Sequence, residues 1–225
     1  MVRQAADRQA HHKGNINMNK LIIVKLIAGF TFLTGVAVML GWYFDIGILK
    51  SILPVWVTMK FTTALCFSLS GVTLFFMVRI IEGELDLSRL MLSLAAFTVL
   101  LIMLILLFSS LLKIRTGMED FFIKESSAVI SMTIPGQPSM GTIVNFILIA
   151  VGGLLVILNP QRRKKLLLTL GWVITLVALT AIVGYIINVP SLYYAFEDIS
   201  NAMALHTSIL FILFGFGFIL LAKDQ

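Results

Sequence analysis

Apolar and polar residues along this chain fall into long blocks rather than fine stripes. Residues 1–20, MVRQAADRQAHHKGNINMNK, are polar and basic. Six apolar spans follow, at about 21–43, 61–79, 90–112, 142–158, 166–188 and 202–222. About 20 apolar residues in a helix cross the roughly 30 Å of bilayer hydrocarbon. A helix also satisfies every backbone amide internally, as lipid demands. The pattern predicts an all-α, polytopic membrane protein with six transmembrane helices, preceded by a polar cytoplasmic tail (1–20).

A second regularity lies inside the blocks. The second span reads Met59-Lys60-Phe61-Thr62-Thr63-Ala64-Leu65-Cys66-Phe67, then Gly71. The fourth reads Pro138-Ser139-Met140-Gly141-Thr142-Ile143-Val144-Asn145-Phe146, then Ala150, and the sixth Met203-Ala204-Leu205-His206-Thr207-Ser208-Ile209-Leu210-Phe211, then Gly215. Thr, Phe four on and a small residue four beyond that share one helix face. The odd spans echo each other too: Gly41-Trp42-Tyr43-Phe44-Asp45-Ile46 ends the first and Gly184-Tyr185-Ile186-Ile187-Asn188-Val189 the fifth. The chain therefore reads as a module of three helix–loop–helix repeats, at about 21–80, 89–159 and 165–222. Thr63, Thr142 and Thr207 begin three faces that converge on a bundle core. Phe67, Phe146 and Phe211 fill space one turn deeper, and Gly71, Ala150 and Gly215 let a neighbouring backbone approach. Asn145 is expected to hydrogen-bond another helix.

Composition narrows the function. Of 225 residues 59% are hydrophobic and 12% charged, where soluble domains carry roughly a quarter charged residues. The mean hydropathy is +1.02. The polar stretches fall short of the roughly 100 residues of a typical soluble domain, so function must lie in the membrane helices, the short loops or an interface. GxSxG, HExxH, CxxC and P-loop signatures are missing, and no carboxylate sits mid-span where proton-driven transporters bury one. The expectation is a non-enzyme with no cofactor and no metal. Cys66 reads as a small hydrophobe. The pair His11–His12 lacks further ligands and belongs to a solvated tail.

Charge sets an orientation. With the N-terminus inside, the inner regions hold Arg3, Arg8, Lys13, Lys20, Arg79, Arg89, Arg162, Arg163, Lys164, Lys165 and Lys223, and the outer loops Lys50, Lys60, Lys113, Arg115 and Lys124. The run Arg162-Arg163-Lys164-Lys165 dominates and pins its loop, with both termini, to the cytoplasmic side of the inner membrane. The same run can bind anionic lipid headgroups. The net charge of +6 is thus a topology signal, and no nucleic-acid partner is expected.

The stretch GWYFDIGILKSILPVWVTMKFTTALCFSLSGVTL (41–74) resembles the N-terminal membrane region of bacterial and archaeal sensor histidine kinases and diguanylate cyclases, in which a six-helix module precedes PAS and output domains. IPGQPSMGTIVNFILIAVGGLL (134–155) is similar to that module's middle repeat, and NAMALHTSILFILFGFGFILLA (201–222) to its last helix. The resemblance runs over about 20–222. It implies a sensory input module for a membrane or extracytoplasmic signal. The chain ends at Lys223-Asp224-Gln225 without an output domain, so the expected partner is a signalling kinase or another membrane protein, with a homodimer also open. Expectations from other classes are a small transporter or channel subunit, and a structural subunit of a membrane complex.

Candidate ligand residues follow from the repeat positions. His206 lies near the outer end of the sixth span, where ionisable groups are functional candidates. It can respond to pH, take a metal or bond a quinone-like headgroup, or simply bond a loop carbonyl. Lys60 occupies the corresponding region of the second span and is expected to snorkel to headgroups. With Asp45, Glu197 and Asp198 at the outer surface, these residues are expected to ring a shallow outer pocket, and Thr63 and Thr207 are further candidate ligand-binding residues. Trp42, Tyr43, Trp56, Phe121, Phe122, Tyr185, Tyr193 and Tyr194 read either as an interfacial belt or as the roof of that pocket.

Overall fold

The computed structural model describes residues 18–51, 56–119, 121–123, 135–158, 162–194 and 200–223. The tail 1–17, Gln161, Glu197 and Asp198, and parts of the outer loops, lie outside the described residues. Six long helices carry the chain: α1 (Met18–Tyr43), α2 (Phe61–Glu82), α3 (Asp86–Leu112), α4 (Met140–Leu158), α5 (Arg163–Ile187) and α6 (Leu205–Lys223). Each is long and apolar enough to cross a membrane, and the protein is a polytopic, all-helical membrane protein. A single helical turn, Gly47–Lys50, follows α1, and a 3₁₀ turn, Pro190–Tyr193, follows α5.

The helix ends differ from the apolar spans by a few residues, for local reasons. The second helix runs on to Glu82 because its carboxylate meets Lys25 Nζ of α1 at 2.7 Å. It stops at Gly83, whose φ of +97° suits glycine and whose N–H caps the Arg79 and Ile80 carbonyls. Arg79 and Glu84 form an ion pair beside this turn.

The helices form two nested triangles. In α2, α4 and α6, 56%, 56% and 61% of the span is buried; in α1, α3 and α5 the figures are 39%, 39% and 28%. The even helices are therefore the inner ring. Each odd helix lies in the groove between two of them: α1 between α6 and α2, α3 between α2 and α4, α5 between α4 and α6. Lipid tails give no hydrophobic drive for helix association, so close packing has to supply it. Glycines supply the close approach. A Cβ on Gly71 would lie 2.7 Å from the Ala28 carbonyl oxygen, and one on Gly215 would lie 2.7 Å from that of Gly171. Ala28 and Gly171 are matching positions in α1 and α5, so the first and third repeats close on the same contact.

The loops joining odd to even helices lie at one end of the bundle, here the hairpin end; the other connections lie at the linker end. All three hairpins begin alike. Asp45, Lys113 and Asn188 take left-handed backbone at φ of 55°, 54° and 56°. The next N–H then returns to the helix: Ile46 to the Gly41 carbonyl at 2.8 Å, Ile114 to Ser109 at 3.2 Å, and Val189 to Gly184 at 2.9 Å.

From there the first and third hairpins stay in register. Gly41 and Gly184 each lie under a leucine: an added Cβ would sit 2.5 Å from Leu49 Cβ and 2.7 Å from Leu192 Cβ. Met59 N–H donates to the Lys50 carbonyl at 2.9 Å and Met203 N–H to the Tyr193 carbonyl at 2.8 Å. The Lys50 ammonium sits 4.8 Å over the Trp42 ring, and Tyr193 stacks on Tyr185 at 4.4 Å. The middle hairpin, between Leu112 and Met140, is longer.

Candidate functional site

The inner helices meet on three aromatic rings. Phe67, Phe146 and Phe211 are fully buried, with centroid separations of 4.7 Å (67–146), 4.8 Å (67–211) and 4.9 Å (146–211). The rings meet edge-on or tilted, the arrangement their quadrupoles favour. One turn nearer the hairpin end, Thr63, Thr142 and Thr207 are all buried. One turn the other way, Gly71, Ala150 and Gly215 are buried as well. Gly71 and Gly215 face the outer helix of their own repeat rather than the bundle axis. The three rings alone close that axis at their level.

Above the rings lies a polar layer. Ser139 caps α4: its Oγ accepts the Thr142 N–H at 3.1 Å and pairs with Thr142 Oγ1 at 2.8 Å. Asn201 Nδ2 donates to the Gln137 carbonyl at 2.7 Å, and Met140 N–H to Ser200 Oγ at 2.9 Å, tying the third hairpin to the start of α4. Gln137 Nε2 reaches the Leu106 carbonyl at 3.3 Å. Deeper in α4, Asn145 Nδ2 donates to the Ile174 carbonyl of α5 at 3.5 Å, which joins the second repeat to the third.

Two of the residues chosen from the sequence sit differently from their expected places. Lys60 does not snorkel to headgroups. It is 4% exposed, packed into the bundle at the position just before α2. Asp45 does not join Lys60 and His206. Its side chain is 92% exposed and its carboxylate binds Lys50 Nζ at 2.5 Å. That hydrogen bond and the lysine's charge hold the Asp45 carboxyl below its usual range. The left-handed turn at Asp45 aims the side chain out of the bundle, so no ring of outer charges forms from these three. Trp42 and Tyr185, assigned to a belt or a roof, are structural donors: Trp42 Nε1 bonds the Met59 carbonyl at 2.8 Å and Tyr185 Oη the Met203 carbonyl at 2.7 Å.

His206 is the second residue of α6 and is half-buried, with Nε2 enclosed and without a hydrogen-bond partner among the described residues. It lines a cavity of about 460 Å³ between α1 and α6. Phe30, Leu33, Thr34, Ala37 and Val38 of α1 form one wall, and Ile48, Leu49 and Ser51 of the first hairpin form the roof. The lining is mostly apolar, with one imidazole edge and two hydroxyl residues. Such a groove, open on the side of Phe30 and Leu33, suits a lipid-soluble molecule held by a single polar contact.

Sequence reading passed over Glu119. Its carboxylate is buried in the middle hairpin, bonded by Ser109 Oγ and by Thr116 Oγ1 at 3.1 Å. Burial alone would raise its pKa; the hydrogen bonds from Ser109 and Thr116 outweigh burial and hold it below the ordinary value. A signal was present: Ser109 stands four residues before Lys113, just as Gly41 and Gly184 stand four before Asp45 and Asn188. Only Ser109 offers a hydroxyl there.

At the linker end, Arg162, Lys164 and Lys165 line a second hollow of about 610 Å³ with Leu166 and Thr169. Among the described residues no group of three His, Cys, Asp or Glu comes together at a metal-ligating distance. Comparisons with family models, curated proteins and solved structures find no match to this chain.

Proposed function

We propose that this protein is a non-catalytic, membrane-embedded input module. It detects a membrane or extracytoplasmic signal and relays it to a partner protein. The hairpin end faces outward. The linker end, with both termini and the Arg162–Lys165 run, faces the cytoplasm, where those residues also hold anionic headgroups. The resemblance of residues 20–222 to the membrane region of sensor kinases and cyclases supports this reading.

One observation carries it above transport. The bundle axis is filled by Phe67, Phe146 and Phe211 in mutual contact, where a conducting bundle needs polar groups along a path. The half-buried site lies to the side, between α1 and α6, where occupancy can change how two repeats pack. A shift of about 1–2 Å between packed helices is enough for relay.

The test uses the full-length protein purified in mild detergent with its associated proteins identified, then reconstituted in proteoliposomes. A co-purifying kinase or cyclase, whose output changes when the module is present, is the expected result. Saturable flux of an ion or small solute through the protein alone would overturn the reading.

A further inference from the structure

The first and third hairpins share one register, in which Gly41 corresponds to Gly184 and Thr207 corresponds to Thr142 in the inner ring. They differ where each covers its groove. Tyr194, just after the 3₁₀ turn, lays its ring over Gly141 of α4; a Cβ on Gly141 would sit 2.6 Å from Tyr194 Cε2. The Tyr194 hydroxyl lies 3.0 Å from the Val177 carbonyl and 2.9 Å from Thr180 Oγ1 on α5. The groove between α4 and α5 is thus filled by a phenol that the chain itself supplies.

The same register carried to the groove between α6 and α1 replaces Tyr194 by Ser51, Val177 by Thr34, Thr180 by Ala37 and Gly141 by His206. Those four residues line the 460 Å³ cavity. The space that a phenol occupies in one groove is open in the other. The side chain that would have filled it is a serine, whose hydroxyl donates to the Trp56 carbonyl at 3.1 Å within its own hairpin. The glycine beneath is a histidine with an enclosed, unpartnered Nε2. The remaining wall includes Phe30 and Leu33, which are 54% and 64% exposed on the lipid-facing side.

We propose that this cavity binds the ring of a lipid-soluble phenol or quinone taken from the bilayer. The ring lies where Tyr194 lies in the other groove, a rotation of the His206 side chain brings the enclosed Nε2 to its oxygen, and its tail leaves past Phe30 and Leu33 into the acyl chains. Either a hydroxyl or a carbonyl oxygen fits, because a neutral imidazole nitrogen donates or accepts according to tautomer. The volume lies within the roughly 300–1,000 Å³ of small-molecule sites and exceeds one bare ring, which leaves room for ring substituents. An acyl chain alone would leave Nε2 without a partner. Binding is reversible and involves no electron transfer. It stands independently of any relay to a partner.

The experiment uses the full-length protein in nanodiscs of phosphatidylcholine and phosphatidylglycerol, with decylubiquinone as ligand and an azido-derivative of it for photolabelling. Saturable labelling is expected on the α1 peptide around Phe30–Ala37 and on the peptide containing His206. S51Y refills the cavity and is expected to weaken binding at least tenfold. H206L should weaken it about tenfold, and H206Q less. A37F blocks the cavity from the α1 side and replaces S51Y as the test if that variant does not fold. Decane, which has the tail without the ring, should not compete. Non-saturating label spread over lipid-facing residues, wild-type binding by a folded S51Y or A37F, or competition by decane would each overturn the proposal.

Discussion

Trp42 and Tyr185 do the same work in two repeats. The indole N–H of one donates to the Met59 carbonyl at 2.8 Å, and the phenol of the other to the Met203 carbonyl at 2.7 Å. Both carbonyls belong to buried methionines just before an inner helix, so each bond fixes where a hairpin re-enters the bundle. W42F and Y185F should each cost about 1–3 kcal/mol, the penalty for orphaning a buried acceptor. W42Y should lie close to wild type, because the third repeat closes the same contact with a tyrosine. Thermal unfolding in detergent measures this. A W42Y midpoint as low as that of W42F would show that indole packing, not the hydrogen bond, matters there.

Six spans were legible because each is a continuous apolar block, and lipid allows such a block little choice but to be helical. The Thr–Phe–small spacing was legible because a four-residue period marks one helix face, and the three phenylalanines it picks out are the ones whose rings touch. Lys60 was misread because hydropathy cannot tell a lysine that reaches headgroups from one packed inside the bundle. Asp45 was misread because a left-handed residue turns its side chain away from the line of the helix. The cavity beside His206 was legible only in part. The Gly41/Gly184 alignment sets Ser51 against Tyr194, but that the Tyr194 ring folds over Gly141 and fills its groove is a loop conformation that hydropathy and spacing do not encode.

The three central phenylalanines should respond alike to truncation. F67A, F146A and F211A each leave a ring-sized void beside the other two rings. The cost expected is about 3 kcal/mol or less, the lower edge of Phe→Ala in soluble cores. The reduction has a cause: separated helices keep the ring in lipid, so only lost packing counts. A second alanine should add less than the first, because the void is shared. Unfolding in mixed micelles measures both. Full additivity of F67A and F146A would mean that the rings are not one packing unit.

Glycines at equal depth should differ sharply in tolerance. G71A and G215A push a methyl to within 2.7 Å of a backbone carbonyl on the neighbouring helix, whereas a Cβ on Gly29 meets nothing within 4 Å. The first two should destabilise by about 1–3 kcal/mol, as overpacking does. G29A should be neutral or mildly stabilising, since alanine is the better helix former. Detergent stability of the three purified variants separates them. A drop for G29A equal to that for G71A would point to loss of glycine flexibility instead of close packing.

Glu119 gives the middle hairpin an acid limit. Its folded pKa is lowered from 4.5, so its contribution is present above that unfolded value and is lost as pH falls through the folded one. Protonation leaves Ser109 and Thr116 facing a neutral acid in place of a carboxylate. Hydrogen exchange of the Thr116–Glu119 amides should accelerate, relative to the pH trend of the first and third hairpins, as pH falls through the lowered folded value of Glu119. E119Q should remove that pH step and lower stability already at pH 7. A step of unchanged size in E119Q would assign it to another carboxylate.

The orientation proposed above can be read with two cysteines. The native Cys66 is the chain's single cysteine and is wholly buried, so it leaves a quiet background for maleimide labelling. Ile48 stands exposed in the first hairpin, and Lys165 is exposed at the linker end. With the positive-inside bias set by Arg162–Lys165, I48C should react with a membrane-impermeant maleimide on intact cells. K165C should react only after permeabilisation. Both introduced thiols are close to charged or polar surface, so neither should perturb insertion, and the K165C single change leaves three of the four basic residues to hold the topology. The opposite labelling pattern would put the His206 end of the bundle inside the cell and remove the basis for an extracytoplasmic signal.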